Sequence, residues 1–186
     1  MLLRRTKQLK NCTKKFSSRI RFHYFSSTSL SRSSDPSDTE KKIQSMLSKG
    51  KVPSTEQFAT LVKCAKQQPK LNINLMNIYT QWKLVAQTAT QSPLPHLNGD
   101  IFHDLIITTK SKCLRQKNLS AASYWYNLAQ QQNVTLPLKT YNAMINISGK
   151  VGRSKDAEKY FNHILSNQSL KPNIVSWTSL LESIGR

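Results

Sequence analysis

The sequence predicts an all-α protein, an α-solenoid of short antiparallel helix hairpins behind a disordered basic N-terminal segment. Three observations predict it. Four stretches open with an aromatic residue and place apolar or small residues three, four and seven positions later, the spacing of one helix face. They are Phe58/Leu61/Val62/Ala65, Phe102/Leu105/Ile106/Thr109, Tyr141/Met144/Ile145/Ser148 and Trp177/Leu180/Leu181/Ile184, at successive intervals of 44, 39 and 36 residues. Between them lies a second kind of stripe: Leu75/Ile78/Tyr79/Trp82, then Ala122/Trp125/Tyr126/Ala129, then Ala157/Tyr160/Phe161/Ile164/Leu165, with Ala122 and Ala157 35 residues apart. Prolines at 137 and 172 close the last two units. Isolated helices of under about 12–15 residues are marginal in water, so each hairpin has to bury its stripes against its partner helix and against the next hairpin.

Residues 1–34 carry nine basic residues and no acid; the first acid is Asp35. Arginine, lysine and serine enrichment without acids is the composition of a mitochondrial transit peptide, and Phe16, Phe22, Tyr24 and Phe25 add apolar surface beside the charge. We expect import into the mitochondrial matrix, with a basic arm that binds nucleic acid directly as the alternative; composition also admits plastid import as a less favoured destination. The 186-residue chain has a formal net charge of +19, and setting those nine residues aside leaves +10 on the rest. Such a surplus suits a polyanionic partner such as RNA. No run approaches the 18 or so apolar residues of a membrane span. Cys12, Cys64 and Cys113 are isolated, without metal-ligand or CxxC spacing.

Residues 35–53 lack sustained periodicity and read as a linker with a short helical start. Residues 54–96 follow as a degenerate helical hairpin and 97–137 as a divergent repeat with about four extra residues at its inter-helix turn. In that turn we expect the basic run Lys110, Lys112, Arg115 and Lys117. The unit 138–173 is the clearest: Gly149 and Gly152 are expected to punctuate its turn, with Ser154 capping the second helix ahead of Asp156 and Glu158. Residues 174–186 open a further unit and supply only its first helix. Trp177, Leu180, Leu181 and Ile184 then need cover from a partner, or from chain beyond Arg186; we expect the second.

Residues 138–173, LKTYNAMINISGKVGRSKDAEKYFNHILSNQSLKPN, resemble a pentatricopeptide repeat. The matching features are Thr140, Tyr141 and Asn142 at the start; Lys150, Gly152 and Arg153 at the turn; Ala157 and Phe161 in the second helix; and Lys171, Pro172 and Asn173 at the end. The resemblance implies a right-handed solenoid in which each repeat faces one base of single-stranded RNA. It implies base reading by Asn142 and Asn173, a pair suited to a pyrimidine with cytosine preferred, and by Thr178 in the following unit. It implies base flanking by Val175 and by Lys139, where the family carries an apolar residue, and a phosphate contact by Lys150. His103 holds the corresponding reading position of the 97–137 unit, with Pro137 or Leu138 closing it. Lys110 and Lys112 are further phosphate candidates on charge alone. His163, beside the second-helix stripe, reads as structural.

No catalytic constellation, phosphate-binding glycine loop or metal cluster is visible, and no cofactor is implied. Binding is the economical reading: a mitochondrial adaptor that holds a transcript or ribosomal RNA for processing, stabilisation or translation. A larger ribonucleoprotein or a protein partner would cover the C-terminal helix. The alternative from another class is a non-catalytic helical-repeat scaffold of the mitochondrial ribosome or an assembly complex.

Overall fold

In the computed structural model the described residues are 36–69, 73–88 and 96–185. The import-signal reading of residues 1–34 and Cys12 lie outside them. The described residues form eight helices and no strand: α1 (Pro36–Ser48), α2 (Thr55–Gln67), α3 (Leu75–Thr88), α4 (Gly99–Gln116), α5 (Ser120–Gln131), α6 (Leu138–Val151), α7 (Ser154–Ser166) and α8 (Ile174–Ile184).

Local chemistry sets four of the starts. Ser54 and Gln57 form a reciprocal capping box at α2: Gln57 N donates to Ser54 Oγ at 3.2 Å and Ser54 N to Gln57 Oε1 at 3.0 Å. Asn74 accepts from Asn77 N at α3 and Asn98 from Ile101 N at α4, each satisfying an amide that the helix leaves without an internal partner. Asn173 and Ser176 repeat the capping box at α8. The end of α6 is set by Gly152 at φ +84°, a left-handed position that glycine adopts without strain.

The helices stack in two rows. The aromatic-led helices α2, α4, α6 and α8 pack side by side, and α5 and α7 pair with α4 and α6. Rings carry the core from one hairpin to the next. Phe58 on α2 meets Trp82 on α3 at 5.2 Å, Tyr79 on α3 meets Trp125 on α5 at 5.5 Å, and Tyr126 on α5 meets Tyr160 on α7 at 5.0 Å. Most of these pairs are tilted or edge-on, the geometry the ring quadrupole favours. Phe58, Phe102, Trp125, Ile145 and Ile164 are essentially inaccessible to solvent. The all-α stacked-hairpin architecture therefore agrees with the expectation from periodicity.

Several local expectations are corrected. The 35–53 linker holds the 13-residue helix α1, which packs on α2 and α3. Ile43 and Leu47 are buried there at i, i+4, with half-buried Val52 against the same core, a stripe too short to stand out from the flanking Ser and Lys. The extra residues of the 97–137 unit lengthen α4 to 18 residues rather than its turn. Lys110, Lys112 and Arg115 accordingly lie on the last two turns of that helix. Only Lys117 sits at its end, in a left-handed conformation at φ 47°. Ser154 is the first residue of α7 and caps nothing; Arg153 precedes it without a side-chain cap bond and instead pairs with Asp156 at 2.6 Å. Gly149 is inside α6 rather than in the turn.

Gly149 has a packing role. A Cβ on it would stand 2.5 Å from Ser183 Cβ and 2.9 Å from Ser183 Cα, so α6 and α8 meet nearly backbone to backbone. Ser176, Ser179 and Ser183 form the buried side of α8, while Trp177, Leu181 and Ile184 are 48, 66 and 55% exposed. The stripe that is buried in α2, α4 and α6 is thus left half open on α8. Only Trp177 finds a ring partner, Phe161 at 4.6 Å.

Replacing Gly149 by valine is expected to force the two helices apart. The cost should resemble other overpacked contacts, about 1–3 kcal/mol. Hydrogen exchange should quicken along α8 while α2–α5 stay protected. Ser183→Gly in the same chain should recover part of the loss; equal protection of α8 in the single variant and the parent would count against this contact.

Candidate nucleic-acid interface

Stacking α4, α6 and α8 side by side leaves an open groove of about 590 Å³ across their outer faces. Helix α4 contributes His103, Ile107 and Lys110. Helix α6 and its approach contribute Leu138, Lys139, Asn142, Ala143, Asn146 and Lys150, and α8 with its cap contributes Asn173, Val175 and Ser179. The pattern follows from helix geometry, because 103, 107 and 110 recur at i, i+4 and i+7, as do 139, 142/143, 146 and 150. The aromatic-led stripes of α4 and α6 enter the core on another face, and Asn142 and Ser179 are themselves buried at the groove wall.

Asn142 is 8% exposed and lies in a hydrogen-bonded cluster at the groove wall. Its Nδ2 donates to Asn173 Oδ1 at 3.3 Å, and Ser176 Oγ donates to Asn142 Oδ1 at 2.7 Å. Asn173 Oδ1 also accepts from Ser176 N at 3.0 Å. The two asparagines expected to act together are therefore in direct contact, 31 residues apart in sequence.

The lysines divide by partner. Lys139 Nζ lies 2.7 Å from Asp100 Oδ1, and this pair holds the Asp100 carboxyl below its usual range through the hydrogen bond and the lysine charge. Lys110 and Lys150 face no acid within ion-pair distance among the described residues, so their charge is available in the groove. Lys112 does not reach this groove. It lines a hollow of about 370 Å³ beside the α4 terminus, with Arg115 and Trp125. Val175 is half exposed at the groove edge. Thr178 lies beyond the groove lining, and its hydroxyl donates back to Ile174 O at 2.9 Å within its own helix.

The adjoining hollow between α2 and α4 is lined by Glu56, Asp100 and Asp104 with Lys63, and Asp104 pairs with Lys66 at 2.6 Å. Acids at that end oppose phosphate, whereas the lining of the α4–α6–α8 groove carries lysines and no acid.

No family model matches this sequence. No curated protein matches it. Among solved structures it is similar to the crystal structure of the pentatricopeptide repeat protein PPR10 from maize, at 16% identity and a TM-score of 0.45. The match covers 81% of this chain and 24% of that one, so this chain spans about a quarter of its length.

Asn146 and Ile107 were not singled out from sequence, although Asn146 follows Asn142 by one helical turn. Ser176 was missed as well, although it stands three residues after Asn173, the capping-box spacing. His163 packs on Tyr141 with ring centroids 5.4 Å apart and contacts the Tyr126 hydroxyl at 3.4 Å. It has the structural position expected of it. Cys64 and Cys113 are free thiols. No group of three metal-ligating side chains occurs among the described residues, and none of their helices is long and apolar enough to cross a membrane.

His103 has a buried Nδ1 without a hydrogen-bond partner. Burial first, then Lys139, hold its imidazole below the ordinary value of 6.5, with Lys66 adding to and Asp104 and Asp100 opposing that shift. A histidine with a depressed folded pKa stabilises the fold fully above the unfolded value and loses that contribution as the pH falls below it. Stability measured by urea midpoint should therefore decline from pH 7.5 to pH 5, and His103→Gln should flatten that part of the profile.

Truncating Asn142 to alanine should remove two bonds at the α8 cap and leave the Ser176 hydroxyl only its longer contact to Asn173 Oδ1 at 3.1 Å. A net hydrogen bond is worth about 0.5–1.5 kcal/mol, readable as a fall in melting temperature with faster exchange at the start of α8.

Proposed function

We propose that this chain is a single-stranded RNA-binding adaptor without catalytic activity of its own, acting in mitochondrial RNA processing, stability or translation. The observation that carries the reading is the α4–α6–α8 groove. It combines lysines free to meet phosphate, Lys110 and Lys150, with a wall of side-chain amides from Asn142, Asn146 and Asn173. An amide offers both donor and acceptor to the edge of an unpaired base, and an open groove between parallel helices admits an extended strand more readily than a duplex. In this reading Asn142 and Asn173 read one base, Val175 flanks it, Lys139 lies at the opposite edge tied to Asp100, and Thr178 belongs to the next position. The basic, acid-free N-terminal segment supports import into the mitochondrial matrix.

The span of the groove limits specificity. A base stacked or paired in such a site contributes about 1–3 kcal/mol, so two or three positions distinguish few sequences. A larger ribonucleoprotein would supply the rest. The exposed Trp177, Leu181 and Ile184 favour a second reading, a helical-repeat scaffold that binds protein through α8.

Fluorescence anisotropy with short single-stranded RNA at 50 and 200 mM salt separates these readings. An RNA binder should lose affinity steeply with salt, with a slope near −0.7 per phosphate contacted. Removing Lys110 and Lys150 together should make that slope shallower by about 0.7 per lysine. Absence of measurable RNA affinity at the lower salt would leave the scaffold reading in place.

A further inference from the structure

We infer that Ser176 is a positioning residue for base selection: its buried hydroxyl fixes the amide orientation of Asn142 and Asn173, so that the pair presents donors to the groove. The inference rests on the RNA-binding reading and adds a residue that does not itself face the strand. Ser176 is fully buried and does not line the groove.

The hydrogen-bond count leads there. The Ser176 hydroxyl has one hydrogen and two acceptors in reach, Asn142 Oδ1 at 2.7 Å and Asn173 Oδ1 at 3.1 Å. The shorter contact takes it, because hydroxyl–oxygen bonds are best near 2.7–2.8 Å. The same Oγ accepts from Asn173 N at 3.1 Å. That places oxygen, not nitrogen, of the Asn142 amide toward Ser176, and turns Asn142 Nδ2 to Asn173 Oδ1. Asn173 Oδ1 already accepts from Ser176 N, so both of its acceptor positions are occupied. Asn173 Nδ2 keeps both hydrogens, and Asn142 Nδ2 keeps one, with no acceptor among the described residues.

The exposed remainder is thus rich in donors. A free asparagine pair could rotate either amide and offer an oxygen just as well. Rotating Asn142 would break the 2.7 Å bond that it accepts from Ser176 Oγ, and would set its oxygen against Asn173 Oδ1, which the Ser176 backbone N holds in place, an acceptor facing an acceptor. The arrangement suits a base edge with adjacent acceptors, as N3 and O2 of cytosine, over uracil, whose N3–H would meet a donor. Ser176 acts by excluding the alternative orientation, not by touching the base.

The test uses the full chain with oligo(C) and oligo(U) of about eight nucleotides, within the usual span of single-strand sites. Parent, Ser176→Ala and Ser176→Cys are compared by anisotropy; the cysteine variant keeps the branching of the side chain, fills the site with a somewhat larger atom and weakens the donor. Both variants should keep their affinity for oligo(U) and lose preference for oligo(C), the ratio falling roughly three- to tenfold, the scale of one hydrogen bond. In the RNA-free protein, the Asn142 side-chain NH₂ resonances should be displaced from those of free asparagine and slow to exchange with solvent in the parent, and closer to the free values and faster to exchange in the variants. If Ser176→Ala detaches α8, seen as loss of amide protection there, the cysteine variant carries the comparison. An unchanged C-to-U ratio in a folded variant, or unchanged Asn142 NH₂ exchange, overturns the assignment. Failure of the parent to bind either RNA would instead sink the RNA-binding reading, leaving the amide exchange to decide the role of Ser176.

Discussion

The structure depends on one requirement: each hairpin has an apolar stripe that it cannot bury alone. Helices of 11–18 residues gain little from propensity, so their stability comes from contact with the next hairpin. The ring contacts Phe58–Trp82, Tyr79–Trp125 and Tyr126–Tyr160 show how that contact is made. The first closes the α2–α3 hairpin, the other two join successive hairpins, and together they run from α2 to α7. At the N-terminal end, α1 closes the stack by burying Ile43 and Leu47. At α8 the rule is only half met, since Trp177, Leu181 and Ile184 stay open.

That requirement also creates the candidate site. Once the aromatic face of each leading helix is turned inward, the residues at intervening positions must face out, and neighbouring helices align them into a groove. Close approach makes the groove continuous. Gly149 lets Ser183 come within contact distance of the α6 backbone, which brings the α8 cap beside Asn142. A larger residue at either position would widen the gap and separate the two asparagines. Stability and the binding surface therefore rest on the same helix–helix contact, and the surface charge follows from it. Two lysines are committed to acids of α4, Lys66 from α2 and Lys139 from α6, whereas Lys110 and Lys150 stay uncommitted along the groove.

Much of this was legible in the sequence. Periodicity placed seven of the eight helices and named most of the buried residues of α2–α7, though not the serine side that α8 buries, because a helix face repeats every three or four positions whatever its neighbours do. It failed at α1, where Ile43, Leu47 and Val52 are too sparse to show against polar surroundings. It also failed at Gly149, which looked like a turn residue beside Gly152; a glycine signals either a turn or a close approach, and only a neighbouring helix distinguishes them. The pairing of Asn142 with Asn173 was expected from the resemblance to a repeat motif. The third member, Ser176, was hidden in plain capping-box spacing.

By itself the sequence determined the element types, the hairpin order and the positive charge of the chain, since these depend on local spacing and composition. The tertiary structure alone decided that Lys110 and Lys112 face different hollows, that Lys139 is spent on Asp100, and that Asn142 is held by Asn173 and Ser176. Each of these is set by which residues of another helix lie opposite. That depends on how closely two helices approach and at what rotation, quantities fixed by packing volumes and not by the order of residues within either helix.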